Sequence, residues 1–153
     1  MMTLPSSSHL ISVVRAEITE TLSGISEDPK VLNCLAMVDS MLASIAIRCE
    51  HEIGWMISET NEIVDLAEAM IADGRDDGRI AAGLARLHDR ALASFDIAAI
   101  RARYHQASAV LADCAELALA AGGQIRSMVE QALATRLDHE REIRGALAFV
   151  GRG

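Results

Sequence analysis

The chain has 153 residues, of which 51% are hydrophobic but only 3% aromatic, and a formal net charge of −8 at pH 7. This charge argues against a nucleic-acid partner, because phosphate binding needs a basic surface. The three cysteines form no CxxC pair, and the N-terminus lacks the pattern of a signal peptide, so we expect neither disulfides nor secretion. No uninterrupted apolar run approaches the ~20 residues that cross a bilayer. The sequence therefore predicts a cytoplasmic protein without membrane contact.

Apolar residues recur every three or four positions along the chain, a pattern that predicts helices rather than strands. Residues 1–8 are expected to form a flexible tail. The first helix should start after the Ser6–Ser8 cluster, because serine is a good N-cap, and it should end at Gly24. Its expected buried stripe consists of Ile11, Val14, Ile18 and Leu22.

The second helix has the clearest sequence signals. Ser26 is its expected N-cap, and Pro29 fits a first helical turn. Its apolar positions continue in steps of three or four as far as Ile71, so we expect one unbroken helix to Asp73, followed by Gly74. The stripe expected to face the core includes Val31, Leu35, Val38, Leu42, Ile45, Cys49, Ile53, Met56, Ile63 and Ala67.

The remaining chain should form two or three further helices. The apolar stripe changes face at Ser94–Phe95–Asp96, where Asp96 is a candidate N-cap, and Gly122–Gly123 ends that segment. A last helix carries apolar residues from Ile125 to Val150. We therefore predict an all-α protein, an antiparallel helical bundle with two long arms and about four to five helices, in a single domain spanning residues 1–153.

Several chemistries lack their sequence patterns. The segment Glu50–His51–Glu52 does not converge on one ion, because successive helical residues point about 100° apart. The chain has no Glu-x-x-His, His-x-x-x-His or CxxCH motif and no glycine-rich phosphate loop. We therefore predict no metal, no cofactor and no catalytic residue.

Two polar residues interrupt the apolar stripe of the last helix. Arg136 and His139 fall among apolar positions, and a charge buried there needs a partner. The simpler interpretation shifts the local stripe to Leu133 and Leu137 and leaves both polar residues at the rim. The alternative is a polar ligand pocket in which Arg136 binds an anion.

A second, smaller strip lies on the outer side of the long helix. It combines methionine, arginine and tryptophan, which are enriched at interface hot spots. The simpler interpretation is that helix 1 or helix 4 covers this strip within the fold. We predict instead that it contacts either a second copy of the chain or a protein partner. Its residues are Met37, Met41, Arg48, His51 and Trp55.

Four segments carry a resemblance to a known family. They are "LPSSSHLISVVRAEI", "LAMVDSMLASIAIRCEHE", "MIADGRDD" and "LARLHDRALASFDIAAIRARY", which together span roughly residues 4–104. In this order they resemble small all-helical proteins found beside aminoglycoside-phosphotransferase-like kinases and acyl-CoA dehydrogenases. The resemblance implies an accessory subunit of a phosphotransferase-type kinase in hydroxyacyl-CoA metabolism, and it transfers no catalytic residue.

Two functions follow from these observations. The first is a non-catalytic protein-interaction module that binds a protein partner or forms a homo-oligomer. The alternative is a small helical enzyme or ligand-binding protein with a polar site around Arg136 and His139.

Overall fold

The computed structural model describes residues 5–22, 24–25, 27–89, 96–121 and 123–145, and this part of the chain is all-α. It contains α1 (Ser7–Leu22), α2 (Pro29–Ala72), α3 (Arg79–Asp89), α4 (Ile97–Ala121) and α5 (Gly123–Arg144). The predicted fold class and the single long second helix are confirmed. The chain divides into two compact units. We call Met1–Glu52 with His139–Gly153 the N-terminal unit, and Ile53–Asp138 the core unit.

The first two helices begin at polar caps. The Ser6 hydroxyl accepts a hydrogen bond from the backbone N–H of His9 at 3.3 Å, so α1 starts at Ser7 and the last two residues of the expected tail are helical. Asp28 caps α2, because its Oδ1 accepts from the N–H of Lys30 at 2.9 Å. The expected cap, Ser26, lies outside the described residues.

The carboxyl end of α2 closes in a Schellman motif. The N–H of Arg75 donates to the carbonyl of Met70, and that of Gly74 to the carbonyl of Ile71. Gly74 adopts a φ of 71°, a left-handed conformation that glycine tolerates without strain. The helix is therefore unbroken over 44 residues, or about 66 Å at 1.5 Å per residue.

The loop before α3 is organised by one carboxylate. Asp76 accepts backbone hydrogen bonds from Gly78, Ile80 and Ala81 at 2.9, 3.0 and 3.1 Å. These N–H groups have no partner inside the helix, so Asp76 fixes the start of α3. The predicted break between α3 and α4 is also present, because α4 begins directly after Asp96; Ser94 and Phe95 lie outside the described residues.

The hydrophobic core lies in the core unit, where α2, α3, α4 and α5 meet. Gly83 of α3 permits a close approach to α4, because a Cβ there would lie 2.6 Å from Cγ2 of Val110. The central buried residues are Ile63, Leu66, Ala67, Met70, Ile80, Leu84, Leu87, Ala107, Val110, Leu111, Cys114, Ala118, Ile125, Val129 and Ala132.

The N-terminal unit is packed quite differently. Among its described residues only Ala46 is buried, and α1 contains no buried residue at all. Arg15 on α1 holds Asp39 on α2 through two hydrogen bonds of 2.9 Å. Beside this pair, Ile18 and Leu32 line an open cleft of about 260 Å³ between the two helices.

The buried stripes predicted for these helices are therefore partly wrong. Val14 on α1 is exposed, and Val31, Ile45, Cys49 and Ile53 on α2 are exposed as well. The physical reason is that different helices pack against α2 in the two units, and they do so on different sides of it. From Met56 onward α2 is covered within the core unit, whereas in the N-terminal unit α1 contacts α2 at Asp39, about 160° around the helix from Met41.

Candidate functional site

A partly buried polar cluster, centred on a buried carboxylate, joins three helices of the core unit. Glu59 of α2 is only 4% exposed, and its Oε2 accepts a 2.6 Å hydrogen bond from the hydroxyl of Tyr104 on α4. Arg136 of α5 places its Nε 3.2 Å from the same carboxylate oxygen. Its Nη2 also donates to the hydroxyl of Ser108 at 3.1 Å, and its Cζ lies 4.8 Å from the centroid of the Tyr104 ring.

The environment of the cluster stabilises the neutral form of Tyr104. Burial of the phenol raises its pKa to about 12, and the hydrogen bond to Glu59 and the negative charge of that residue act in the same direction. Arg136 opposes this shift through its positive charge. Tyr104 is therefore a neutral hydrogen-bond donor at physiological pH.

This geometry is that of a structural ion pair. The charge of Arg136 is already balanced by Glu59, so an anionic ligand would have to displace a buried carboxylate of the same chain. Leu133 and Leu137 are 46% and 47% exposed, so the expected shift of the stripe to them is wrong, while Arg136 itself is half-buried. His139 is half-buried and belongs to the N-terminal unit, not to this cluster.

One feature of the sequence points to this cluster. Glu59 lies on the face of α2 that is buried from Met56 onward, where a carboxylate needs a partner. Periodicity along one helix does not identify that partner, and Arg136 lies 77 positions away. Tyr104 and Ser108 were not predicted as members.

Metal-binding groups do not converge within the described part of the chain. No set of three or more His, Cys, Asp or Glu side chains comes together there. In particular, Glu50 is exposed, whereas His51 and Glu52 are half-buried on other sides of α2. The predicted absence of a metal stays a prediction.

An exposed apolar surface lies along the first half of α2. We call it the α2 apolar face. Met37 and Met41 are 63% and 61% exposed. On a helical wheel the members fall within an arc of about 120°. They are Val31, Cys34, Met37, Met41, Ile45 and Cys49.

The predicted interface strip overlaps only partly with this face. Met37, Met41 and Arg48 are exposed, and Nη1 of Arg48 donates to Oε1 of Glu52 at 3.3 Å. His51 and Trp55 are half-buried, so they contribute less open surface than expected. The predicted strip is therefore exposed at its N-terminal end. The exposed residues beside it there are ones that the sequence pattern predicted to face the core.

By length and composition alone, α2 is the one helix in the described ranges that is able to cross a membrane. An 18-residue window of it has a mean hydropathy of 1.6 and is 6% buried. Polar residues such as Asp39 interrupt the apolar run of α2 but leave the mean hydropathy of the window high. The expectation based on uninterrupted apolar runs is therefore revised. Core helices of soluble proteins pass the same test, so the cytoplasmic location stays a prediction.

Comparison with known proteins adds no assignment: no family model, no curated protein and no solved structure matches the chain.

Proposed function

We propose that this protein is a non-catalytic helical interaction module and that the α2 apolar face is its contact surface. The observation that supports this proposal is the exposure of Met37 and Met41, in the middle of an apolar face that no described helix buries. Soluble monomers rarely expose contiguous apolar patches larger than a few hundred Å², and larger patches mark interaction sites.

The packing of the N-terminal unit gives a physical reason for a partner. Its helices are rich in apolar residues, yet among those that the structure describes only Ala46 is fully buried and the others are half-buried or exposed. Each large apolar side chain that a partner covers completely contributes about 1.5–3 kcal/mol. On α1, Leu10, Val13 and Val14 are also about half exposed, which adds to the surface available for binding.

A more specific role rests on the sequence resemblance alone. It is that of an accessory subunit to a phosphotransferase-type kinase in hydroxyacyl-CoA metabolism, in the cytoplasm. An accessory subunit of this kind needs a contact surface but no reactive centre. The exposed face and the self-contained ion pair of Glu59 and Arg136 are consistent with that requirement.

The alternative function, ligand binding around Arg136 and His139, has less support. Arg136 is engaged by Glu59 and Ser108 within the core unit. An anion would gain a charge partner only by taking Arg136 away from the buried carboxylate of Glu59.

Native size in the cell tests the proposal. The tagged chain should migrate in a detergent-free extract as a species larger than one copy of itself, which is 16.4 kDa plus the mass of the tag. Replacing both Met37 and Met41 by Lys should reduce it to the size of one chain, because two charges would have to be buried at the contact. The matched control replaces Leu133 and Leu137, equally large exposed residues of the core unit, by Lys as well. This variant should migrate at the same size as the wild type.

Two results would contradict the proposal. One is a wild-type chain that migrates as a monomer in the extract. The other is an identical change in both double variants, which would indicate a general effect of added charge. Circular dichroism of each purified variant checks that the helices are intact.

A further inference from the structure

We infer that α1 is a releasable strap, which opens from α2 while the core unit stays folded, and that the ion pair of Arg15 and Asp39 is the latch that holds it closed. The strap lies on a different side of α2 from the α2 apolar face, so it stands apart from the proposed function. Its opening makes access to that side of α2 depend on one pair of charges.

The packing of α1 is shallow. Its half-buried residues follow one stripe in steps of three or four, and none of them is fully buried. A side chain that stays partly exposed contributes only part of the stabilisation of a buried one. Open clefts of about 260 and 450 Å³ lie along α1, beside Ile18 and beside Ser8, whereas close-packed interiors leave few voids larger than a water molecule. The stripe consists of Ser8, Ile11, Arg15, Ile18 and Leu22.

The sequence of α1 also makes it a weak helix on its own. It has 16 residues, close to the length below which isolated helices are marginal in water. Many of these residues are β-branched, and such side chains lose rotamer freedom in a helix. An opened α1 therefore loses its helical hydrogen bonds, and its amides exchange with solvent. The β-branched residues are Ile11, Val13, Val14, Ile18, Thr19 and Thr21.

The latch lies in the middle of the stripe. Arg15 donates from Nε and Nη2 to the two carboxylate oxygens of Asp39, both at 2.9 Å, and this bidentate geometry favours one register of α1 on α2. The hydrogen bond from Arg15 lowers the pKa of Asp39, so the carboxylate is charged in the closed state. The two side chains are 31% and 40% exposed. Water and salt ions reach them, so the pair is modest in strength and sensitive to salt.

Opening uncovers the side of α2 on which α1 lies. Along this side, Asp39 is half-buried and Ala46 is buried in the closed state. The α2 residues that line the clefts beside α1 recur in steps of three or four turns of one helical stripe and its edges. They are Leu32, Leu35, Ala36, Asp39, Ala43, Ala46, Ile47 and Glu50.

Hydrogen exchange of the purified full-length chain, followed by mass spectrometry, tests the strap. The amides of α1 should exchange at least about 100-fold faster than those of Ile63–Met70 in α2, because α1 opens locally whereas the core unit opens only on global unfolding. Raising NaCl from about 0.05 to 1 M should accelerate α1 exchange about two- to fivefold without a comparable change at Ile63–Met70. Arg15→Gln should give a similar acceleration at low salt and remove the salt dependence.

An exchange of charges distinguishes a latch from simple packing. Arg15→Asp and Asp39→Arg should each accelerate α1 exchange, because like charges then face each other. Combining the two substitutions should return the rate to within about twofold of the wild type, since the pair is restored in reverse. The matched control, Arg126→Ala, breaks an exposed ion pair of α5 and should leave α1 exchange unchanged.

A thiol at Ala46 reports on the uncovered side of α2. In a chain with Cys34→Ser and Cys49→Ser, modification of Ala46→Cys should be slow, and Arg15→Gln should accelerate it by the same factor as α1 exchange, because opening limits both. The strap would be overturned by α1 amides that are as protected as Ile63–Met70, or that exchange as fast as an unstructured peptide in the wild type. Failure of the reversed pair to restore the rate, or modification at Ala46→Cys that ignores Arg15→Gln, would overturn the latch. None of these outcomes changes the native size that tests the α2 apolar face.

Discussion

Loss of the Arg136 side chain should strongly destabilise the core unit. Arg136→Ala removes three contacts at once: the ion pair with Glu59, the hydrogen bond to Ser108 and the stacking on Tyr104. The carboxylate of Glu59 then stays buried, with the Tyr104 hydroxyl as its remaining partner within this cluster.

The expected magnitude follows from burial. Removing one partner of a buried ion pair costs about 3–5 kcal/mol. The side chain of Arg136 is 23% exposed, so water enters more easily, and we place the loss of unfolding free energy at roughly 2–4 kcal/mol. At about 2–4 °C per kcal/mol for a chain of this size, the melting temperature should fall by roughly 5–15 °C.

The fluorescence of Trp55 is a suitable reporter for this measurement. It is the single tryptophan and belongs to the core unit, so urea unfolding followed by its emission reports on the unit that contains the cluster. The matched control is Arg126→Ala on the same helix. Arg126 pairs with Glu130 at 2.8 Å, but both side chains are at least half exposed, so this change should cost less than about 0.5 kcal/mol.

A second substitution separates charge from packing. Adding Glu59→Gln to Arg136→Ala removes the uncompensated charge and should recover part of the lost stability. If Arg136→Ala costs no more than Arg126→Ala, the buried ion pair does not hold the helices together. The cluster would then be refuted as a structural element.

Three further predictions concern other residues of the core unit. In urea unfolding, Gly83→Ala should lower the stability by about 1–2 kcal/mol, because the added Cβ collides with α4. Gly54→Ala should instead raise it by up to about 1 kcal/mol, because a Cβ there would have nothing within 4 Å. Equal effects of the two substitutions would contradict the close contact at Gly83. Tyr104 is the single tyrosine, so phenolate absorbance should titrate near pH 12 rather than about 10. Because its pKa is raised on folding, the stability it contributes should be complete below pH 10 and lost as pH rises through about 12, and Glu59→Gln should lower the midpoint. A thiol reagent should modify the exposed Cys34 and Cys49 quickly and Cys114 only on unfolding. The reason is that burial raises the pKa of the Cys114 thiol to about 11. Fast modification of a third thiol would show an open core.

Local signals in the sequence were sufficient for most helix ends. Gly74 terminates α2 because a left-handed residue is needed there, and Asp96 precedes α4 as expected. The cap of α2 was placed two residues too early. Ser26 and Asp28 are both good caps, and only the hydrogen bond to Lys30 distinguishes Asp28 in the fold.

The covered side of α2 was harder to predict. Periodicity shows that one face of α2 is apolar. It does not show which neighbouring helix packs on that face, or over which residues of α2 the contact extends. From Met56 to Met70 the expected face is buried in the core unit. Before Glu52 the pair of Arg15 and Asp39 brings α1 to a different side. Pairings between distant residues, which no single helix encodes, decide these contacts.

The most direct measurement is photo-cross-linking in the cell from the centre of the α2 apolar face. A photoactivatable phenylalanine analogue replaces Met41 in one strain and Leu133, an exposed apolar residue of the core unit, in another. On illumination the probe at position 41 should form a covalent adduct with a protein, and the probe at position 133 should form little or none. Mass spectrometry of the adduct then identifies the partner. A probe at position 41 that gives no protein adduct, or only lipid adducts, would contradict the assignment of this face as a protein contact surface.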